Sequence, residues 1–283
     1  MRARDPATAG TGLPAGAGVD DGLTPRGASR RGVLRTAAVG VLGAGVAAAS
    51  AGTVRYRDTA GSRARADGAT VAELSSASSL RVLWRAQTDQ KVIALSFDDG
   101  PGERLTAPLL DVLREERVRA TFCLVGQQAF ERRDLVRQQV RDGHELANHT
   151  WSHADVSQLG DDELRPELER TDALLSELAG ARPTVIRPPY GRVNGALLQH
   201  AARAGQRLAL WDLRFHESAF DATGNADYVL EHMRPGSVVV GHDAGSRNRH
   251  VGTQAVPAII RGARDRGYEF VTLSEMFSLD RSG

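Results

Sequence analysis

The sequence predicts an α/β protein in which parallel strands alternate with helices. Short apolar runs of strand length recur along the chain, and amphipathic stretches of helical length separate them. Gly143, Gly180, Gly205 and Gly267 follow helical stretches, where a glycine cap is favoured. Strict alternation leaves a closed irregular barrel and an open doubly wound sheet as alternatives. In both, functional residues should collect at the carboxyl ends of the strands.

Seven strands and six helices are predicted in chain order. The predicted strands are 91–97, 119–125, 145–148, 184–187, 207–211, 237–241 and 269–272. The predicted helices are 106–117, 130–141, 161–178, 194–204, 226–234 and 253–266. Asp161, Asp162 and Glu163 open the third of these helices, where acidic side chains favour the positive end of the helix dipole.

Composition limits the function classes. The chain has 283 residues, of which 41% are hydrophobic and 25% charged, and a formal net charge of +1. That balance is ordinary for a globular protein and gives no reason to expect a nucleic-acid partner. No protein partner is indicated either. Cys123 is the single cysteine, so no intrachain disulfide can form, and its apolar surroundings predict a buried residue rather than a catalytic thiol.

The N-terminal region, residues 1–51, is predicted to direct export. Arg30 and Arg31 precede a short apolar segment that ends in small residues, a pattern similar to a twin-arginine signal. An uncleaved membrane anchor and a disordered tail are the alternatives, although the apolar segment is shorter than the about 20 residues that usually span a bilayer. Residues 52–88 are predicted to be a linker, and residues 89–283 the catalytic domain.

Two adjacent carboxylates end the first predicted strand. Asp98 and Asp99 follow an apolar run and precede Gly100-Pro101, which turns the backbone. Neighbouring strand residues point to opposite faces, so the two carboxylates can serve different tasks. A strand-terminating turn without chemistry is the alternative interpretation.

Two histidines follow the third predicted strand. His149 and His153 can converge from one helical turn or a compact loop, and neutral imidazoles are common metal ligands. Together with one carboxylate they would leave open positions on a divalent metal, as a hydrolytic site requires. A surface or capping role is the alternative for a pair at this spacing.

Two further motifs follow later strands. Arg187-Pro188-Pro189-Tyr190-Gly191 forms a stiff loop, which either has no further role or pairs Arg187 with a carboxylate and holds the Tyr190 N–H toward an oxyanion. His242 follows the sixth strand, where it can exchange protons. Four motifs, all at strand ends, favour the functional interpretation.

These motifs resemble those of the polysaccharide deacetylases, carbohydrate esterase family four with its NodB homology domain. The similarity covers residues 91–277, and the segments that carry it are 96–101, 121–126, 144–153, 187–191 and 238–243. The resemblance implies an irregular (β/α)7-type barrel and a metal-dependent hydrolase. The implied substrates are N-acetylated glycans, with cell-wall peptidoglycan or chitin-like oligomers favoured.

The resemblance also implies the metal centre and the base. Asp99, His149 and His153 would hold one divalent transition metal, with Zn²⁺ favoured and Co²⁺ also suited. Asp98 would take a proton from the metal-activated water that attacks the acetyl carbonyl. Arg187 would orient Asp98.

The remaining implied roles concern the oxyanion and the leaving group. The Tyr190 N–H, in the loop stiffened by Pro188, would stabilise the oxyanion. His242 would protonate the departing amine.

One segment departs from the family pattern. Glu217 stands where the family commonly has an Asp that tunes the catalytic histidine, and Ser218 where a Trp walls the acetyl pocket. Glu can reach that histidine, whereas Ser cannot replace an aromatic wall. Trp211, Phe215 and Phe220 are candidates for the wall, with core packing as the alternative for each. We therefore expect the catalytic activity to be retained and the substrate preference to differ from that of the family's usual members.

Other functions stay open at this point. An amidohydrolase of small amides or cyclic imides, and an O-acetyl esterase of the xylan type, are enzymes that the same fold could support. A glycan-binding module without turnover is the non-enzymatic alternative. Metal-dependent release of acetate from a glycan would separate these hypotheses.

Overall fold

The structure, a computed structural model, describes residues 80–282. The predicted export region and the linker up to residue 79 lie outside the described residues. The strands are β1 Val82–Leu83, β2 Val92–Asp98, β3 Thr121–Leu124, β4 Glu145–Asn148, β5 Val185–Ile186, β6 Arg207–Ala209, β7 Leu213–Arg214, β8 Ser237–His242 and β9 Glu269–Phe270. The helices are α1 Thr106–Glu115, α2 Gly126–Glu131, α3 Arg133–Arg141, α4 Asp161–Ala179, α5 Gly195–Ala204, α6 Ala222–His232, α7 His250–Asp265 and α8 Leu273–Leu279.

The named strands form one parallel sheet, as predicted. Its order is β1-β6-β5-β4-β3-β2-β8-β7, and β9 pairs with β2 beside this path. An isolated bridge between Arg85, just after β1, and Ser237, at the start of β8, joins the first strand of the path to the last but one. The sheet therefore curls into the irregular barrel that the family resemblance implied, rather than an open layer. No helix within residues 80–282 is long and apolar enough to cross a membrane.

Strand β2 is the central element of the barrel. Every one of its residues is buried, and it pairs with β8 from Ile93 to Asp98 and with β3 over its last three residues. The register aligns Asp98 with Cys123 on one side and with His242 on the other. Two of the predicted site residues are therefore neighbours across one strand pair.

The two faces of β2 meet different surroundings. Ile93, Leu95 and Phe97 join the large apolar cluster that also contains residues of α1 and α7. Ala94, on the opposite face, belongs to a second cluster of mostly small strand residues and the side chain of Phe277. Because strand side chains alternate between faces, Ser96 and Asp98 share the face of Ala94. The second face of β2 therefore carries polar side chains as well as apolar ones.

The structure differs from the predicted elements mainly where they are shortest. Strands β1 and β7 were not predicted, and only their pairing with β6 and β8 defines them as strands. Leu83 is buried and β1 pairs with β6, so the folded domain begins before the predicted boundary at residue 89. The predicted helix 130–141 is two helices that meet at Arg132. Helix α8 was also not predicted, although Thr272 and Glu275 form a capping box at its start.

A buried histidine lies at the start of β4. His144 Nδ1 accepts a hydrogen bond from the Ala120 N–H at 3.2 Å, and the ring packs edge-on against Phe122. The Nε2 atom is buried without a hydrogen-bond partner within the described residues. Burial therefore lowers the pKa of His144 to about 4.

Replacing His144 with Leu should make the free energy of unfolding less dependent on pH. The unfolded chain binds a proton at His144 more readily than the folded chain, so stability falls as the pH drops from the ordinary histidine pKa toward about 4. We expect the variant to lose that slope, which amounts to at most about 3 kcal/mol. Denaturant unfolding of chelator-treated protein at pH 7.5, 6 and 5, roughly spanning this window, measures it.

Phe122→Leu is the matched control for that experiment. It trims the ring against which His144 packs but removes no titrating group, so it should lower stability by a similar amount at each pH. An unchanged pH slope in His144→Leu would contradict the assignment of that slope to His144.

Candidate active site

The predicted functional residues meet at the carboxyl end of the barrel. They leave the ends of four parallel strands or the loops directly after them: Asp98 and Asp99 after β2, His149 and His153 after β4, Arg187 and Tyr190 after β5, and His242 at the end of β8. Parallel strands bring such ends to one edge of a sheet. The rule that motifs collect at strand ends is therefore confirmed by the fold.

The backbone at this edge is strained. Asp99, Thr150, His153 and Tyr190 have φ angles of 73°, 64°, 60° and 60°. Within residues 80–282 only one other non-glycine residue, Arg117, lies in this left-handed region. Such conformations cost free energy and persist where the surrounding structure imposes them, often at functional sites. The strain is thus concentrated in the loops that present the motifs.

Asp99, His149 and His153 are brought together as a candidate metal site. Asp99 Oδ1 lies 3.4 Å from His149 Nε2 and 3.0 Å from His153 Nε2. Ligands held about 2.0–2.2 Å from one ion are separated by roughly 3–3.5 Å, so this spacing fits a shared divalent metal. The donor set of one carboxylate and two imidazoles also suits a first-row transition metal.

A backbone hydrogen bond orients His149 for this purpose. His149 Nδ1 lies 2.6 Å from the carbonyl oxygen of Arg187, which can only accept, so Nδ1 carries the proton. The lone pair of Nε2 is then free to bind an ion. The loop after β5 thereby fixes a ligand that follows β4.

The carboxyl of Asp99 is held ionised. Burial alone would raise its pKa, but the adjacent imidazoles of His149 and His153, together with the charge of Arg249, hold the pKa well below the ordinary range. Arg249 Nη1 pairs with the second oxygen, Oδ2. One oxygen of Asp99 therefore faces the histidines while the other faces a guanidinium.

Asp98 forms a buried ion pair with Arg187. Arg187 Nη1 donates to Asp98 Oδ1 at 2.8 Å and to Ser96 Oγ at 2.9 Å, and the Arg187 side chain is fully buried. Burial alone would raise the pKa of Asp98, but the charge of Arg187, with smaller contributions from His149 and His242, lowers it. Asp98 is thus a carboxylate able to accept a proton.

His242 contacts a carboxylate on its other side. Its Nδ1 lies 3.3 Å from Oε1 and 3.2 Å from Oε2 of Glu217, so the longer side chain does reach the histidine. The neighbouring Ser218 is exposed and its hydroxyl accepts a hydrogen bond from Asn248 Nδ2 at 2.8 Å. Where the family commonly has a Trp that walls the acetyl pocket, this chain therefore has an exposed serine in a polar contact.

Trp211 is the wall candidate that borders the motif loop. A side-chain carbon at Gly191 would lie 3.0 Å from the Trp211 ring, and that ring lies 5.9 Å from the Arg187 guanidinium. Phe215 is instead buried in the large apolar cluster, and Phe220 packs on the ring of His216. Core packing was therefore the right interpretation for Phe215.

The Pro-Pro loop presents Tyr190 beside the metal ligands. Pro188 and Pro189 are buried, whereas the Tyr190 side chain is exposed and packs edge-on against His153 at 4.8 Å between ring centres. The rigid φ angles of the prolines hold the backbone at this point.

Sequence reasoning assigned no role to Arg249 or Asp243. Asp243 is buried, accepts a hydrogen bond from Thr106 Oγ1 at 2.6 Å through Oδ2, and leaves Oδ1 without a partner within the described residues. Burial raises the pKa of Asp243 to about 7. Both residues follow the end of β8, so the strand-end rule was the signal that could have identified them.

Comparison with known proteins places this site in a family context. A sequence model described as polysaccharide deacetylase matches residues 85–209. The chain is 34% identical over 193 residues to a peptidoglycan-N-acetylglucosamine deacetylase of Bacillus cereus, covering 67% of this chain and 69% of the relative. It is 35% identical over 202 residues to a chitooligosaccharide deacetylase of Sinorhizobium fredii, covering 67% and 93%.

A solved structure agrees with the sequence comparison. The crystal structure of a peptidoglycan N-acetylglucosamine deacetylase in complex with 4-naphthalen-1-yl-N-oxidanyl-benzamide aligns with a TM-score of 0.68 at 30% identity. The alignment covers 71% of this chain and 95% of that chain.

Removing the charge of Arg187 should destabilise the fold strongly. Arg187→Met leaves Asp98 buried without its partner, and such a loss typically costs about 3–5 kcal/mol of unfolding free energy. Asp98→Asn introduced into that variant should recover part of the loss, because it removes the uncompensated charge. Denaturant unfolding of the single and double variants measures the coupling.

The matched control is Arg114→Met, which removes an exposed ion pair with Asp111. It should change the free energy of unfolding by no more than about 1 kcal/mol. Equal effects at Arg187 and Arg114 would show that the buried pair has no special importance.

Substituting any of the three metal ligands should abolish ion binding. Asp99→Ala, His149→Ala and His153→Gln each remove one ligand atom. We expect metal affinity to fall by more than the roughly 10- to 100-fold that follows loss of an outer partner. Zn²⁺ titration against a competing chelator measures the affinity directly, independently of any turnover.

His216→Gln is the control for this titration, because His216 contacts Phe220 and Tyr228 rather than the ligands. Its affinity should equal that of the unsubstituted chain. Full affinity in Asp99→Ala would contradict the ligand assignment.

Proposed function

The chain belongs to the polysaccharide deacetylase family, and we propose from this that it removes acetyl groups from N-acetylated glycans, with release of acetate. The observation that carries the proposal is the juxtaposition of two carboxylates with different partners: Asp98 on Arg187 and Asp99 on two histidines. Peptidoglycan and chitin-like oligomers are the proposed substrate classes, because relatives are named for deacetylation of such glycans.

The proposed metal is Zn²⁺, with Co²⁺ as a second ion that the ligands suit. The ligand spacing and the imidazole orientation described above support one divalent ion on Asp99, His149 and His153. Such an ion supplies Lewis-acid chemistry, in that it acidifies water and polarises a carbonyl.

Asp98 is proposed to be the general base. Its depressed pKa keeps it ionised at neutral pH, and Arg187 fixes the carboxylate through Oδ1. It would accept the proton of the water that attacks the carbonyl carbon of the acetamido group. The Tyr190 N–H, in the strained loop behind two prolines, would donate to the oxyanion that forms.

His242 is proposed to be the general acid. Its alignment with Asp98 across β2 and β8 puts acid and base on adjacent strands. Glu217 at Nδ1 would hold the ring so that Nε2 gives its proton to the departing amine. The carbon–nitrogen bond then breaks, which leaves acetate and a free amino sugar.

We also propose that the protein is exported. The support is the Arg30-Arg31 pair before a short apolar segment that ends in small residues. A cell-wall glycan substrate is consistent with that location, because the substrate lies outside the membrane. If the segment is not cleaved, it would anchor the chain.

Acetate release tests the proposed function directly. The full chain should release acetate from peptidoglycan or chitin oligomers, lose this activity with a chelator, and regain it with Zn²⁺ or Co²⁺. Asp98→Asn and His242→Gln should each lower kcat by about 100-fold or more, as expected for loss of a general base or acid. Coupled enzymatic detection of acetate measures the rate.

Acetylated xylan and a small cyclic imide complete the substrate set. Release from xylan alone would favour an O-acetyl esterase, and hydrolysis of the imide alone would favour a small-amide hydrolase. Metal-loaded protein that acts on neither of the N-acetylated glycans would refute the proposal.

A further inference from the structure

A cavity of about 280 Å³ opens beside the metal ligands. Asp99 and His153 form part of its wall, and the cavity extends from them to Arg104 and Arg132. We propose that this cavity is a subsite for a sugar that carries a carboxylate, next to the sugar that loses its acetyl group. This inference rests on the proposed function and names its substrate class more closely.

The position of the cavity ties it to the reaction. A ligand in it would lie against two of the three metal ligands, so it must be a part of the substrate close to the reacting acetamido group. Its volume is just below the about 300–1,000 Å³ usual for ligand pockets, which suits one small polar unit. Gln127, Gln128 and Ser152 supply amide and hydroxyl groups to the wall, as sugar binding requires.

Arg132 is held in place at this wall. Its Nη1 donates to Gln128 Oε1 at 2.6 Å and to Glu131 Oε2 at 2.9 Å. Nε and Nη2 make no hydrogen bond within the described residues, and they are available to a ligand. A guanidinium positioned in this way favours a carboxylate, which it can bind through two parallel hydrogen bonds.

Arg104 adds a second positive charge to the wall. Its side chain is exposed and has no hydrogen bond or ion pair within residues 80–282. Such an arginine keeps its full hydrogen-bonding capacity for a ligand, and its charge is not cancelled by a protein partner.

Glu131 pairs with Arg132 through Nη1 and offsets part of its charge, whereas Arg104 has no such partner within the described residues. Asp99 is already engaged by two histidines and by Arg249, and Glu103 is exposed at the rim. Asp243 is buried, with Oδ1 unpartnered within the described residues, and burial raises its pKa to about 7. Asp243 also borders the cavity, but its Oδ1 is buried and faces Gly100, so it presents no carboxylate oxygen to a ligand.

The test compares two glycans that differ in the carboxylate. Peptide-free glycan strands of peptidoglycan carry a carboxylate on alternate sugars, whereas chitin oligomers of equal length carry none. For the strands we expect Arg104→Gln and Arg132→Gln each to lower kcat/KM about three- to five-fold, mainly through KM, and the double variant about ten-fold. For chitin oligomers each variant should stay within about two-fold.

Two controls isolate the charge. Arg165→Gln removes a surface arginine that does not line this cavity, and it should change neither substrate. Conversion of the strand carboxylates to amides should lower the rate of the unsubstituted enzyme to that of the double variant. Equal losses on both glycans, or no effect of amidation, would overturn the inference. An arginine effect confined to strands that carry peptides would overturn it as well.

A binding measurement keeps the inference separate from turnover. Calorimetric titration of peptide-free strands into His242→Gln protein, with and without Arg132→Gln, needs no catalysis. If Arg132→Gln weakens binding about three- to five-fold, the subsite is supported. This holds even if the unsubstituted enzyme releases no acetate, because that result would contradict only the proposed function. Equal binding overturns the subsite regardless of activity.

Discussion

The fully buried guanidinium of Arg187 connects the parts of the barrel that carry chemistry. It donates to Asp98 and Ser96 on β2, and to the carbonyl oxygens of Ala209 and Leu210 at the end of β6. The Arg187 carbonyl in turn accepts from His149, a candidate metal ligand. A buried charge is tolerated only with such partners, so displacing any of these segments would leave part of it unpaired. The face of β2 that carries Asp98 also carries the small residue Ala94.

The same surroundings give three neighbouring carboxyls different properties. Asp98 and Asp99 are both held ionised, by a guanidinium and by imidazoles respectively, although both are largely buried. Asp243 has a hydroxyl as its hydrogen-bond partner, and burial raises its pKa. A base and a metal ligand need charge, and within the described residues only Asp98 and Asp99 of the three have an arginine as partner.

The rim of the site differs from its centre. At the centre, Asp98 meets Arg187, and Asp99 meets His149 and His153, which are the neighbours that the family resemblance implied. At the rim, Asn248 donates a hydrogen bond to Ser218. The next residue in the chain, Arg249, forms an ion pair with Asp99. Chemistry and substrate choice can therefore vary separately, because the central residues are fixed by strand register and the rim residues by loop contacts.

The sequence by itself determined the α/β class and seven strand positions, because apolar periodicity is a local signal, and its strand-end motifs supplied the candidate metal, base and acid residues. The barrel rather than an open sheet was implied only by the family resemblance. The sequence also placed Glu217 close enough to reach His242. It did not reveal β1 or β7, which are defined by their pairing with β6 and β8. Only the tertiary structure decided that Arg249 meets Asp99 and that Arg104 and Arg132 border one cavity. The physical reason is that these long-range contacts depend on how whole loops fold, and the spacing of residues in the sequence does not specify that.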